Sequence, residues 1–105
     1  GDNLGVRPME MLLLGVAGCT MIDVVTTLKK MRQELTHCET KVNAERADDH
    51  PKVFTDIHIQ FLIKGNDLDS KKVEKAITLS AEKYCSASIM LGKTASISHD
   101  FEILE

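Results

Sequence analysis

Met11 to Leu28 reads MLLLGVAGCTMIDVVTTL, and how this stretch is buried decides the fold. Between Met11 and Ile22 only Thr20 interrupts the apolar run, and Asp23 then stops it, short of the roughly 20 apolar residues that span a bilayer. A buried helix is therefore expected, and no membrane anchor. Pro8 suits a first helical turn, where its missing N–H has no partner to lose, and Glu10 lies close to the positive end of the helix dipole. Lys29-Lys30-Met31-Arg32 puts positive charge at the other end, which predicts a helix from near Pro8 to around Leu35-Thr36. Its first half is apolar on nearly every face and so asks for burial all round, not along one stripe. Gly15 and Gly18 share a side with Cys19 and Ile22, where another backbone could come close.

Downstream, Cys38 to Arg46 alternates like a half-buried strand, with Cys38, Val42 and Ala44 on one face and Glu39, Lys41 and Glu45 on the other. Asp48-Asp49-His50-Pro51 is turn chemistry, and Val53 to Lys64 alternates again with Val53, Ile57, Ile59, Phe61 and Ile63 inward, which predicts a hairpin. Gly65-Asn66-Asp67 ends that strand. Asp69 or Ser70 then caps a helix whose Val73, Ala76, Ile77, Ser80 and Tyr84 share one face, with Cys85 at its end. Ser86 to Leu91 is a further short helix stopped by Gly92, and Lys93 to Leu104 a last strand with Ala95, Ile97, Phe101 and Ile103 inward. The order α-β-β-α-α-β gives one α+β domain over residues 1–105, a long helix on an antiparallel sheet. Three strands cover only one face of such a helix, so a partner subunit or an N-terminal segment must cover the rest.

With 105 residues and 43% hydrophobic content, the chain can fold around a core without metal or disulfide staples. A net charge of -3 gives no general attraction for phosphates, so a nucleic-acid partner is not expected. Gly1 to Pro8 lacks a basic segment followed by an apolar one, and no export signal is expected. Three widely and irregularly spaced cysteines do not form the framework of a small secreted domain, which makes a reducing cytoplasm the expected compartment. His37, His50, His58 and His99 never fall at the spacings of zinc sites, and no phosphate loop, nucleophile elbow or dinucleotide fingerprint occurs. Neither a metal nor a cofactor is expected.

What remains is thiol chemistry. A free cysteine with a pKa of about 8.5 is only a few per cent thiolate at neutral pH, so a reactive one needs a cation or a helix N-terminus beside it. Cys19 has instead Asp23 one turn away, and a carboxylate there disfavours a thiolate. Arg32 lies roughly 20 Å further along the same helix, so an activating cation must come from another segment or a second chain. On residue type alone Cys19 reads first as a buried structural thiol. Cys85 lies between the negative end of one helix and the positive end of the next, which leaves the direction of its pKa shift open. Cys38 is an ordinary strand position.

Pro8-Met9-Glu10-Met11-Leu12-Leu13, then Gly18-Cys19-Thr20 and Asp23-Val24-Val25, resemble the OsmC/Ohr superfamily of osmotically induced and organic hydroperoxide resistance proteins. So do Val73-Glu74-Lys75-Ala76, Glu82-Lys83-Tyr84-Cys85-Ser86 and Leu91-Gly92-Lys93-Thr94-Ala95, with the YhfA-like branch the most similar. The resemblance runs from about Gly5 to the C-terminus. It implies an intertwined homodimer with active sites at the subunit interface, and N-terminal strands that precede the segment present here. It further implies a thiol peroxidase in oxidative-stress defence, with Cys19 attacking an organic hydroperoxide, Cys85 closing a disulfide, and a dithiol reductant resetting the pair. Met9 stands where the characterised peroxidases carry a glutamate, so Glu10 is the candidate for that role and Arg7 the candidate arginine. The alternatives are a dimer that binds small hydrophobic ligands between Met9, Leu13, Tyr84 and Met90 around inert thiols, and a purely structural fragment.

Overall fold

A computed structural model describes residues 7–104. Helix α1 (Pro8–Lys30) opens with proline in its first turn and closes with Lys29 and Lys30 in its last. It stops earlier than the apolar pattern predicts, because a double hydrogen bond ends it: Arg32 N–H donates to the Lys29 carbonyl at 3.0 Å and Gln33 N–H to that of Leu28 at 2.9 Å. This closure needs a left-handed residue, and Arg32 supplies it at φ 61°. Glycine is the usual sign of such an end, and an arginine hides it. Strand β1 (Glu34–Arg46) therefore begins where helix was expected.

Strand β2 (Phe54–Asn66) returns antiparallel beside β1. Arg46 pairs with Phe54 but Glu45 with Asp56, so Thr55 is an extra residue bulged out of the ladder. The bulge explains one departure from simple alternation. Phe54 turns inward at 6% exposure and Val53, expected inside, is 46% exposed, while Ile57, Ile59, Phe61 and Ile63 are buried as their spacing requires.

After β2 the chain crosses over through α2 (Ser70–Leu79), a π-helical turn (Ser80–Tyr84) and α3 (Ser86–Leu91) before strand β3 (Ser96–Leu104). Asp69 caps α2, its carboxylate accepting from the Lys71 N–H at 2.9 Å. The sheet order is β1-β2-β3, and β3 lies parallel to β2. The expected all-antiparallel sheet is thus mixed: a helical crossover returns the chain to the end of β2 where that strand began, so β3 runs the same way. Lys93 and Thr94 belong to the preceding turn, and β3 starts at Ser96.

The core lies between α1 and the sheet. Val16, Val24 and Leu28 meet Ile57, Ile59, Phe61 and Ile63, and α2 adds Val73, Ala76 and Ile77. Each fully buried aliphatic side chain contributes about 1.5–3 kcal/mol relative to exposure. The opposite side of α1 is uncovered among the described residues: Met11, Leu12, Leu14 and Ile22 are 61%, 44%, 56% and 66% exposed. The space over Gly15 and Gly18 is open too, so the close contact expected there is not made within the chain. By length and composition alone α1 is apolar enough to cross a bilayer, contrary to the shorter run counted to Asp23. Its packing against the sheet makes it a core helix of a globular domain.

Candidate thiol site

Cys19 and Asp23 stand one turn apart on α1 and project from the same side. Facing them is the end of α2, where the helix widens. The Cys85 N–H donates to the Ser80 carbonyl at 2.7 Å, which closes the π-helical turn. In a regular α-helix residues five apart point about 140° away from each other. The wider turn instead brings Ser80 and Cys85 to one side, toward α1. It also displaces Tyr84, expected inward at four residues after Ser80, to 52% exposure. Cys85 takes the inward position in its place. Such turns recur at functional sites.

Three polar groups converge as a result. The sulfurs of Cys19 and Cys85 and a carboxylate oxygen of Asp23 lie within 4.8 Å of one another. Ser80, 1% exposed, donates from Oγ to Asp23 Oδ2 at 3.0 Å. Cys85 is fully buried and caps α3, its sulfur accepting from the Ser88 N–H at 3.4 Å. Cys19 and Asp23 are partly exposed, so the cluster opens to solvent on their side. Burial pushes the Cys85 thiol up, the neighbouring Cys19 pushes it further, and the contacts from Ser88 oppose both without reversing them. The direction that two flanking helix ends left open is set by desolvation.

The other candidates lie elsewhere. Helix α1 runs unbroken through Gly15 and Gly18, so Glu10 is about 13 Å and Arg7 about 18 Å along the axis from Cys19 of the same chain. Both are exposed. Met9 and Leu13 pack at the edge of the core, whereas Tyr84 and Met90 face solvent. Cys38 is a free thiol on β1, its pKa raised by burial.

Pairing β3 with β2 assembles one constellation that the spacing of the histidines did not reveal. His58 and Ser98 become register partners, with His58 Nδ1 2.6 Å from Ser98 Oγ and His58 Nε2 3.3 Å from Asp100 Oδ2. Only the parallel register could have disclosed it. His99 points to the opposite, inner face, where it stacks on Phe61 with ring centroids 6.3 Å apart and leaves Nε2 buried without a hydrogen-bond partner among the described residues. Burial, then the charge of His58, lowers its pKa. Beside it an open groove of about 910 Å³ runs between α2 and β3, lined by Glu74, Glu82, Ser88 and Asp100 among others.

Comparison with known proteins gives this geometry a family. The family model described as OsmC-like protein matches residues 1–100. Protein YhfA of Escherichia coli K12 is 45% identical over 97 residues, which cover 92% of this chain and 72% of YhfA. A crystal structure of a hypothetical protein from Aquifex aeolicus VF5 superposes with a TM-score of 0.85 at 34% identity, covering 97% of this chain and 78% of that one. The organic hydroperoxide resistance protein OhrB of Bacillus subtilis shares the fold, with a TM-score of 0.64 at 18% identity over 93% of this chain and 71% of its own. A long helix on a short sheet, two cysteines meeting from α1 and the α2–α3 corner, and a family match over nearly the whole sequence agree: the chain belongs to the OsmC-like protein family.

Proposed function

We propose that this protein reduces organic hydroperoxides with a two-cysteine cycle, as part of oxidative-stress defence. The observation that carries the reading is the meeting of two free thiols, Cys19 and Cys85, within 4.8 Å in one chain. Their unequal exposure supports the division of roles. Cys19 is reachable from solvent and, as thiolate, attacks the distal peroxide oxygen, becoming a sulfenic acid as the O–O bond breaks and an alcohol leaves with one proton. Cys85, buried behind it, then attacks the sulfenic sulfur, which forms the disulfide and releases water. A dithiol reductant restores both thiols by exchange. OhrB, named for organic hydroperoxide resistance, shares the fold and lends the substrate class.

A thiol that attacks a peroxide works as the thiolate, which a neighbouring cation favours, and the charged side chain beside this pair is the carboxylate of Asp23, so the cycle needs a cation near Cys19. We assign its supply to a second copy of the chain. The apolar residues Met11, Leu12, Leu14 and Ile22 form a face that an intertwined homodimer would cover, and the exposed Arg7 at the start of a second copy's α1 would be the candidate cation.

The test is a count of free thiols before and after one equivalent of an organic hydroperoxide. The wild type should lose two, Cys19→Ser none, and Cys85→Ser one, to a sulfenic acid that a second equivalent carries on to the sulfinic acid. Retention of all thiols by the wild type, or loss that depends on Cys38, refutes the cycle.

A further inference from the structure

The same cluster has a member that the peroxidase cycle leaves unexplained. The cycle gives Asp23 no part, yet Ser80 holds its carboxylate in place beside the two sulfurs. As a set of metal ligands, two sulfurs and a carboxylate all have a part. A tetrahedral zinc ion, with bonds of about 2.3 Å to sulfur and about 2.1 Å to oxygen, holds its ligand atoms about 3.6–3.8 Å apart. The ligand atoms of Cys19, Asp23 and Cys85 are within 4.8 Å of one another, so closing on the ion takes shifts of about 1 Å at most.

The surroundings suit an outer shell. Ser80 orients the carboxylate through its hydroxyl at 3.0 Å, and the Ser88 N–H points at the Cys85 sulfur at 3.4 Å, a donor that steadies a metal-bound thiolate. Two sulfur ligands select a thiophilic ion over magnesium or calcium. Three protein ligands leave a fourth position toward the partly exposed side of Cys19 and Asp23.

We propose that reduced Cys19 and Cys85, together with Asp23, form a binding site for one Zn²⁺ per chain, with water as the fourth ligand. Both thiol protons pass to solvent as the sulfurs bind, Asp23 brings its own charge, and no electrons move. A Cys19–Cys85 disulfide would remove both sulfur ligands, so the metal-bound and oxidised forms exclude each other. The site does not depend on peroxide chemistry, and binding is measured with no peroxide present.

Titration of the reduced, metal-free protein with Co²⁺ as a spectroscopic stand-in for Zn²⁺ tests the site. One equivalent should develop a thiolate-to-cobalt charge-transfer band and intense tetrahedral visible bands, and Zn²⁺ should abolish both by displacement. Cys19→Ser and Cys85→Ser should each lose the charge-transfer intensity of one sulfur and bind at least about tenfold more weakly, as should Asp23→Asn, while Cys38→Ser should bind like the wild type. X-ray absorption of the zinc-loaded wild type gives a reading that no variant's folding can confuse: two sulfurs at about 2.3 Å and two lighter ligands at about 2.0–2.2 Å. Absence of the thiolate band, a band that depends on Cys38, an unchanged affinity in Asp23→Asn, or a zinc shell without sulfur each overturns the proposal. A protein that retains its thiols under hydroperoxide but binds the metal as described would lose the peroxidase reading alone.

Discussion

Removing the Ser80 hydroxyl tests whether the π-helical turn holds the thiol cluster together. Ser80→Ala deletes one donor, leaves no cavity larger than an oxygen atom, and takes from Asp23 its hydrogen bond at 3.0 Å. A hydrogen bond to a charged group contributes about 1.5–3 kcal/mol, and since Asp23 is partly exposed, water can replace part of it. The expected loss is therefore about 1–1.5 kcal/mol. For a domain of this size that lowers Tm by about 4–10 °C. With an m-value of about 1–1.5 kcal/mol/M it moves the urea midpoint by about 1 M without changing the slope. Equilibrium unfolding of the reduced, chelator-treated protein measures it, and a cycle with Asp23→Ala isolates the pair. The coupling should be about 1 kcal/mol. If the two substitutions add to within about 0.3–0.5 kcal/mol, Ser80 does not hold Asp23 and the geometry of the cluster has another cause.

Three further expectations follow from other parts of the molecule. His99 has its pKa lowered in the folded chain from the ordinary 6.5, so below pH 6.5 the unfolded chain takes up a proton that the folded one refuses. Stability should fall as pH drops from 6.5 through the folded value, and His99→Gln should flatten that slope in chemical unfolding measured at a series of pH values; an unaltered slope would assign it to other groups. A side chain at Gly65 would collide with the Glu34 carbonyl across the β1–β2 ladder, so Gly65→Ala should cost about 1–3 kcal/mol in thermal unfolding, and a neutral outcome would contradict the register there. Ile22, 66% exposed on the open face of α1, should tolerate Glu in the isolated chain but abolish self-association; sedimentation showing the same mass for wild type and Ile22→Glu would rule out that face as the interface.

Periodicity disclosed most of the fold because most elements here obey it. The buried set Ile57, Ile59, Phe61 and Ile63 has the period of a strand, and Val73, Ala76 and Ile77 that of a helix. It misled where a single residue changes phase. Thr55 bulges and exchanges Val53 for Phe54, and the π-helical turn exchanges Tyr84 for Cys85. Arg32 ends α1 in a conformation that its side chain does not advertise. Cys19 and Cys85 are visible as the residues to watch, since two motif segments frame them. Their meeting is implied by the family resemblance and not by local pattern, because it depends on the phase of a helix that changes pitch just before the second cysteine. The parallel pairing of β3, and with it the His58–Ser98–Asp100 set, belongs to tertiary topology that no local pattern encodes.

The two sulfurs face each other from segments far apart along the backbone, and that separation has a mechanical consequence. A bond between Cys19 and Cys85 would close a loop of about 66 residues, and in the chain-entropy picture this removes enough freedom from the unfolded ensemble to stabilise the fold by about 4 kcal/mol. Oxidation would then fasten the first helix to the corner between the second and third. Resistance to heat becomes a gauge of redox state, readable in a cell extract without any chemical label.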